Sequence, residues 1–286
     1  MERKRNDGEP GGSAGQTNWT IRPGHRQSGV ILHVPHASRE IPVRALERIL
    51  LGPEELEREL DAMTDADTDL LAREVAERSL TRRPWIFENR FSRLLVDPER
   101  FPDEREEMSR VGMGRVYLKT SDGRELRKPD PSDDDRLIGS YFDPYARAFE
   151  QLVAERLEEV GEVLIIDLHS FPVERLPYEL RPEQARPSLC LGTDDFHTPE
   201  GLASYARSVW PWPDSFELDQ PFPGSYVPLG SYRSDRRVSS VMFEIRRDVV
   251  ANWARGERCE RPVPALPSII ASMAICFTAG LLGTER

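Results

Sequence analysis

The chain has 286 residues, enough to bury the core of one α/β domain with added loops. Its 50 acidic and 39 basic residues give a net charge of −11, so it lacks the basic surface that non-specific nucleic-acid binding requires. We therefore expect no nucleic-acid partner, although a few local arginines could still bind an acidic small molecule.

Neither end of the chain suggests a membrane segment. Residues 1–28 are polar and glycine-rich, without the apolar stretch of a secretory signal, and are predicted to be a disordered tail. The uncharged stretch Ala265–Gly283 is long, but Pro267 and Gly280 interrupt it. We predict a buried C-terminal helix there rather than a membrane span.

The cysteines indicate a reducing compartment. Cys190, Cys259 and Cys276 are far apart and form no C-x-x-C pair. Such cysteines are typical of reduced, mostly buried thiols, so we expect a cytoplasmic protein. The sequence does not indicate an oligomeric state.

Short β-branched runs alternate with helical segments from residue 29 to the end. This pattern predicts a single α/β domain, 29–286, whose central sheet is mixed and largely parallel and is flanked by helices. Predicted strands lie near residues 29–34, 84–88, 93–96, 163–168, 188–191 and 238–245. Predicted helices lie near 43–51, 53–79, 141–160, 199–210 and 265–283.

A long polar insertion separates the third predicted strand from the next helix. Residues 100–140 are rich in charge and glycine. Structureless loops of this length in compact domains are functional or disordered. We predict a partly ordered lid or substrate loop that borders the site and is more mobile than the sheet.

Two of the five histidines follow buried strands in matching positions. His36 follows the apolar run Val30–Val34, and His169 follows Val163–Leu168. Ligands of open α/β sheets bind beyond the carboxyl ends of the strands, so the two imidazoles can converge on one metal. Zinc hydrolases usually supply three protein ligands and leave one position for water.

The third ligand is predicted to be a carboxylate, for which the sequence offers two candidates. Glu40 lies close to His36, and Asp65 lies in an acidic segment of the predicted helix 53–79. His33 is expected to lie in the core or to support a ligand. His197 is expected on a surface loop, with a substrate contact as the alternative.

Glu244 is a single charge in the apolar strand Val238–Ile245. A buried carboxylate is costly unless it is paired or functional. Burial also raises a carboxylate's pKa toward the range of a general base. The alternative is a salt bridge with Arg246 or Arg247 at the end of the strand.

Two arginines suit an acidic substrate. Arg93 and Arg100 bracket the predicted strand 93–96, and a guanidinium group binds a carboxylate through two parallel hydrogen bonds. They could equally be surface ion pairs, with Asp97 serving only to position them. A serine nucleophile at Ser170 is disfavoured because the G-x-S-x-G context is missing.

Six short segments resemble motifs of the N-formylglutamate amidohydrolase family, in the family's order. They are Val34–Pro42 (P-H-[SA]-G-x-x-I-P), Met63–Leu71 (D-x-x-x-D-x-L), Ser92–Arg100 (S-R-x-x-x-D-x-N-R), Asp167–Ser170 (D-x-H-S), Pro221–Tyr226 (G-x-Y) and Met242–Arg247 (x-x-E-I-N-R). The resemblance covers about residues 29 to 260. Ser38 replaces a glycine and Glu99 an asparagine of the family pattern.

The resemblance implies a phosphorylase/hydrolase-like α/β fold in the zinc-carboxypeptidase-like group. It implies that His36, Asp65 and His169 bind Zn²⁺ or another divalent metal and that Glu244 is the catalytic carboxylate. It also places Arg93, Arg100 and Arg247 on the substrate side.

The leading hypothesis is therefore an amidohydrolase that cleaves a small acidic N-formyl or N-acyl amino acid, or a peptide, with a metal-activated water. One alternative is a metallocarboxypeptidase-like peptidase. The other is a non-catalytic metal- or ligand-binding protein that retains the fold.

Overall fold

The computed structural model describes residues 17–79, 81–181, 183–256 and 265–282. Most of the predicted disordered tail, residues 1–16, and Cys259 lie outside the described residues. Cys190 is a buried free thiol, and Cys276 is a partly exposed one. The cytoplasmic location stays a prediction.

Within the described residues, seven strands form one sheet in the order β1-β3-β2-β4-β7-β5-β6. The strands are β1 (Trp19–Arg22), β2 (Val30–Val34), β3 (Trp85–Asn89), β4 (Val163–Phe171), β5 (Leu189–Gly192), β6 (Phe216–Leu218) and β7 (Val238–Arg246). β1 pairs antiparallel with β3, and β5 pairs antiparallel with β7. The remaining pairs are parallel. The expected mixed, largely parallel sheet is confirmed.

Helices lie on both faces of this sheet. They are α1 (Val43–Leu46), α2 (Pro53–Met63), α3 (Thr68–Arg78), α4 (Pro131–Leu137), α5 (Asp143–Val160), α6 (Glu200–Val209), α7 (Arg247–Ala254) and α8 (Leu266–Thr278). A π-helical turn, Ile138–Phe142, joins α4 to α5. Two 3₁₀ turns lie at Glu107–Val111 and Pro213–Ser215.

The central strands are buried along their whole length. Every residue of β2 and β4 is buried, as expected where helices cover both faces of a parallel sheet. One cluster packs α3, α6 and α8 on one face, and a second packs α5 on the other. The predicted C-terminal helix is present as α8. Among the described residues, no helix is long and apolar enough to cross a membrane.

The predicted disorder is wrong for part of the segment 17–28. Residues Trp19–Arg22 form β1, an edge strand paired with β3. All four of its residues are half-buried or exposed, so it is held by backbone hydrogen bonds to β3 and by the packing of Trp19 against the second cluster. Composition does not reveal a short strand with exposed residues. The short strand β6 was not predicted from the sequence for the same reason.

Two other local predictions are wrong. Residues 93–96 form a turn, not a strand, because the Ser92 hydroxyl accepts the Leu94 N–H and the buried Arg127 binds the Leu94 carbonyl. The single helix expected over 53–79 is two helices, α2 and α3, separated by residues 64–67. Asp67 ends this break with a φ of 65°, in the left-handed region.

The insertion 100–140 is more ordered than a simple lid. Met113, Tyr117 and Leu126 are buried in a cluster with residues of α2. Arg127 is 1 % exposed and donates to the carbonyls of Tyr117 and Leu94. The first residues of the insertion line the site described below. Greater mobility than the sheet stays a prediction.

The break at Asp67 generates a stability prediction. Asp67→Gly should raise the free energy of unfolding by about 1 kcal/mol, because glycine adopts positive φ without a Cβ clash. Asp69→Gly is the matched control within α3, where the same change should lower it by about 1 kcal/mol. Chemical denaturation measures the free energy of unfolding of both variants. A change of the same sign in the two variants would contradict the positive φ at Asp67.

Candidate active site

The carboxyl edge of the sheet brings the predicted site residues together. His36 lies two residues beyond β2, and His169 lies in β4 opposite Glu244 of the neighbouring β7. Asp65 lies in the break between α2 and α3, where its backbone N–H donates to the His36 carbonyl over 3.0 Å. The helix break therefore delivers Asp65 to the two histidines.

His36, Asp65 and His169 form a compact group of three possible metal ligands. The two histidine Nδ1 atoms are 3.2 Å apart, and the Asp65 Oδ2 is 3.0 Å from that of His169 and 3.6 Å from that of His36. Tetrahedral zinc, with bonds of about 2.0–2.2 Å, separates its ligands by about 3.4 Å. The spacing fits a divalent ion, and all three residues are buried.

The far nitrogen of each histidine faces a carboxylate. His36 Nε2 lies 3.0 Å from Asp97 Oδ1, and His169 Nε2 lies 3.1 Å from Asp167 Oδ2. Metal-binding histidines commonly donate their second N–H to a carboxylate, which selects the tautomer and orients the ring. This arrangement leaves both Nδ1 atoms to face Asp65.

Nearby carboxylates favour the charged forms of the two histidines. Burial opposes the charge, yet Asp167 and Glu99 raise the pKa of His169 well above its ordinary value. For His36, burial and Arg93 lower the pKa, but Asp97 and Glu99 outweigh them, so the pKa is raised. The carboxylates around the two rings thus outweigh the cost of burying a positive charge.

Asp97 joins this histidine group to the arginines. Its carboxylate is fully buried and lies 2.8 Å from Arg93 Nη2 and 3.1 Å from Arg100 Nε. The Tyr117 hydroxyl donates to the same carboxylate oxygen. Burial raises the pKa of Asp97, but Arg100 and Arg93 outweigh it and hold the pKa well below its ordinary value.

Glu244 has the environment of a general base. Loss of water around the carboxylate raises its pKa to about 7, against the opposing charge of His169. Its Oε2 has no hydrogen-bond partner among the described residues. The alternative salt bridge is absent there, because Arg246 pairs with Asp248 and Arg247 donates to carbonyls at the end of α2.

A cavity of about 310 Å³ opens onto these residues, here called the active-site cavity. The three candidate ligands and Glu244 share its wall with five arginines. The arginines are Arg93, Arg100, Arg105, Arg181 and Arg247. Sequence reasoning missed Arg105 and Arg181, because nothing distinguishes them from surface arginines. Residues Arg100–Phe101 and Arg105–Met108 show that the insertion borders the site, as expected.

Three other predicted residues lie elsewhere. Glu40 is exposed and does not line the cavity, so the geometry favours Asp65 over it as the third ligand. His197 is buried rather than on a surface loop, with its ring between the Val238 carbonyl and the Arg233 N–H. His33 is buried beside Asp167 and Tyr145, in the supporting position expected for it.

Asp167 and Glu99 are the main members of the group that sequence reasoning missed. Asp167 was detectable, because it is a lone charge in the apolar run of β4, the same signal that identified Glu244. Glu99 follows a turn and had no such signal. Its carboxylate lies 3.4 Å from His169 and 3.6 Å from His36.

A buried His-Asp-His group beside a free carboxylate, at the carboxyl edge of a mixed sheet, is typical of a hydrolytic α/β enzyme. The comparison with family models identifies which one. The chain belongs to the N-formylglutamate amidohydrolase family, whose model matches residues 28–251. It is therefore an amidohydrolase by family. No curated protein sequence gives a significant match.

Two solved structures share the fold. The N-formylglutamate amidohydrolase of Ralstonia eutropha JMP134 superposes on this chain with a TM-score of 0.70 and 20% sequence identity. The match covers 93% of this chain and 99% of that chain. A gene product of Agrobacterium tumefaciens has a TM-score of 0.67 and 18% identity, over 94% and 97% of the two chains. At these identities the likeness establishes the architecture.

Removing the Asp97 charge should destabilise the whole protein. Asp97→Asn would leave two partly buried guanidinium groups without the fully buried anion that they share, so we expect a loss of about 3 kcal/mol in the free energy of unfolding. Asp103→Asn, which breaks only the exposed pair with Arg105, should leave the denaturation midpoint unchanged. Equal midpoints for the two variants would contradict the central role of Asp97.

Proposed function

We propose that the protein is a metal-dependent amidohydrolase that cleaves an N-formyl or N-acyl amino acid with an acidic side chain, of the N-formylglutamate type. The observation that carries the proposal is the geometry of the active-site cavity. There a triangle of three ligand atoms, 3.0–3.6 Å apart, shares one wall with a carboxylate of raised pKa and with arginines.

His36, Asp65 and His169 are the residues that would hold the metal. Two imidazoles and a carboxylate suit Zn²⁺, although another divalent ion can use the same donors. When bound, such an ion lowers the pKa of a water and polarises the scissile carbonyl. Asp97 and Asp167 support the site by orienting the two imidazole rings.

Glu244 would serve as the general base. A carboxylate with a pKa near 7 can take a proton from the attacking water and return it to the leaving amine. One C–N bond of the substrate breaks while the water adds its hydroxyl to the acyl carbon. The products are a carboxylic acid and a free amino acid, which for N-formylglutamate are formate and glutamate.

The arginines would select an acidic substrate. Arg93 and Arg100 are held in place by Asp97 and Tyr117, so little side-chain entropy is lost when they bind a carboxylate. The terminal nitrogens of Arg247 donate hydrogen bonds to the carbonyls of Asp61, Ala62 and Thr64. Its contribution is therefore to position the end of α2 and to add positive charge to the cavity wall.

Glu244→Gln tests the proposed base directly. The amide keeps the shape but cannot accept the water proton, so we expect kcat to fall by about 10²- to 10⁴-fold with metal content unchanged. His169→Ala should lose metal and activity together, because it removes a ligand. Elemental analysis and steady-state kinetics on both variants separate the two roles.

Two results would contradict the assignment. A Glu244→Gln variant with the original kcat would exclude Glu244 as the base. A variant that loses its metal would make Glu244 a ligand and remove Asp65 from that role. Glu106→Gln is a matched control, since Glu106 lines the same cavity and accepts the Phe101 and Met108 N–H groups. It should keep its metal.

The arginines predict a substrate preference. N-formylglutamate should be hydrolysed with a kcat/KM about 10- to 100-fold above that of N-formylglutamine, because each charge-assisted hydrogen bond is stronger than a neutral one. N-acetylglutamate and a glutamate-terminated dipeptide extend the panel to the peptidase alternative. Equal rates for the acidic and neutral formyl compounds would refute the proposed role of the arginines. If none of the compounds is hydrolysed in a chelator-sensitive way, the alternative of a non-catalytic binding protein is favoured.

A further inference from the structure

A second group of possible metal ligands lies behind the first. His33 Nδ1, a Glu99 oxygen and an Asp167 oxygen lie within 4.8 Å of one another. The Nδ1 is 2.9 Å from Asp167 Oδ1 and 3.4 Å from Glu99 Oε1. None of these three residues belongs to the His36, Asp65 and His169 group, although Glu99 and Asp167 both lie against its histidines.

The second group contains buried polar atoms that the protein leaves unsatisfied. Asp167 is 1 % exposed, and its Oδ2 lies 3.1 Å from His169 Nε2 but accepts no well-aligned hydrogen bond among the described residues. Glu99 Oε1 is likewise buried and unpartnered there. An unsatisfied buried carboxylate oxygen is costly. A cation bound between the carboxylates of Glu99 and Asp167 would give these oxygens a partner.

The ion-pair partners of Glu99 and Asp167 also favour a cation at this group. The ionic contacts of Glu99 and Asp167 run to His33, His36 and His169, and none within the described residues runs to a lysine or arginine. The nearby guanidinium groups of Arg93 and Arg100 already pair with Asp97. Both carboxylates therefore lack a lysine or arginine partner among the described residues.

The second group also borders a second cavity. Glu99 and Asp167 line this cavity of about 460 Å³, which shares Glu99, Arg100, Phe101, Pro223 and Met242 with the active-site cavity. Among its described lining residues, the carboxylates Glu99, Asp143, Glu150, Asp167 and Asp194 outnumber two arginines. Such a wall concentrates cations by its field.

The ring of His33 is already oriented for a ligand role. It stacks on Phe149 with ring centroids 4.6 Å apart, and its Nε2 lies 2.7 Å from the Tyr145 hydroxyl. Nδ1 is hydrogen-bonded to Asp167 Oδ1 over 2.9 Å, and it can bind a metal ion in place of that bond when the ring proton is on Nε2 and donates to Tyr145. One imidazole and two carboxylates suit Zn²⁺, Mn²⁺ or Co²⁺.

We propose that His33, Glu99 and Asp167 form a second divalent-cation site, filled from this acidic cavity. The site extends the proposed metal-dependent function, but it does not depend on hydrolysis. An ion there would hold Asp167, whose carboxylate faces His169 Nε2, and would thereby stiffen the support of the first site.

The metal content of the full chain tests the proposal. Chelator-treated protein is dialysed against Zn²⁺ and analysed for zinc per chain, with circular dichroism as the check on folding. We expect two equivalents in the unmodified protein and one in Glu99→Gln. Glu150→Gln, which removes a carboxylate from the same cavity but outside the group, should keep two. Asp65→Asn should keep one.

Several outcomes would overturn the second site. They are one equivalent in the unmodified protein, two in Glu99→Gln, or none in Asp65→Asn. If Glu99→Gln does not fold, Co²⁺ titration of the unmodified protein decides, because two sites give two spectral phases and one site gives one. Two ions in a protein without hydrolytic activity would refute the proposed function alone, and one ion in an active protein would refute the second site alone.

Discussion

The buried carboxylate of Asp97 is the interaction on which the site depends. It is fully enclosed and joins a ring nitrogen of His36 to the guanidinium groups of Arg93 and Arg100. A charge in such a place is tolerated only with strong partners. The same contacts that stabilise Asp97 therefore fix the orientation of a candidate metal ligand and of two candidate substrate-binding groups.

The insertion is part of this interaction rather than a cover over it. Tyr117, which lies inside residues 100–140, places its hydroxyl against Asp97, Arg93 and Arg100. Arg127 then ties the Tyr117 carbonyl to the turn that carries Leu94. The candidate metal ligand and the candidate substrate-binding arginines are in this way coupled to the packing of a polar segment.

A cluster of alternating imidazoles and carboxylates extends from this point across the edge of the sheet. Asp167 lies between His33 and His169, while Glu99 faces His33, His36 and His169. Each buried carboxylate of the cluster therefore has at least one imidazole beside it, which lowers the cost of burying its charge.

The sequence by itself determined the sheet class, the histidines at the strand ends and the lone carboxylate of Glu244, because hydrophobic periodicity and a charge within an apolar run are local signals. It left Glu40 and Asp65 as alternatives, and it gave no reason to connect Asp97 with His36. Only the tertiary structure decided these points. The break before α3 brings Asp65 against His36, and a turn rather than a strand carries Arg93 and Asp97 to the same place. Both depend on contacts between distant segments, for which no window of sequence carries a signal.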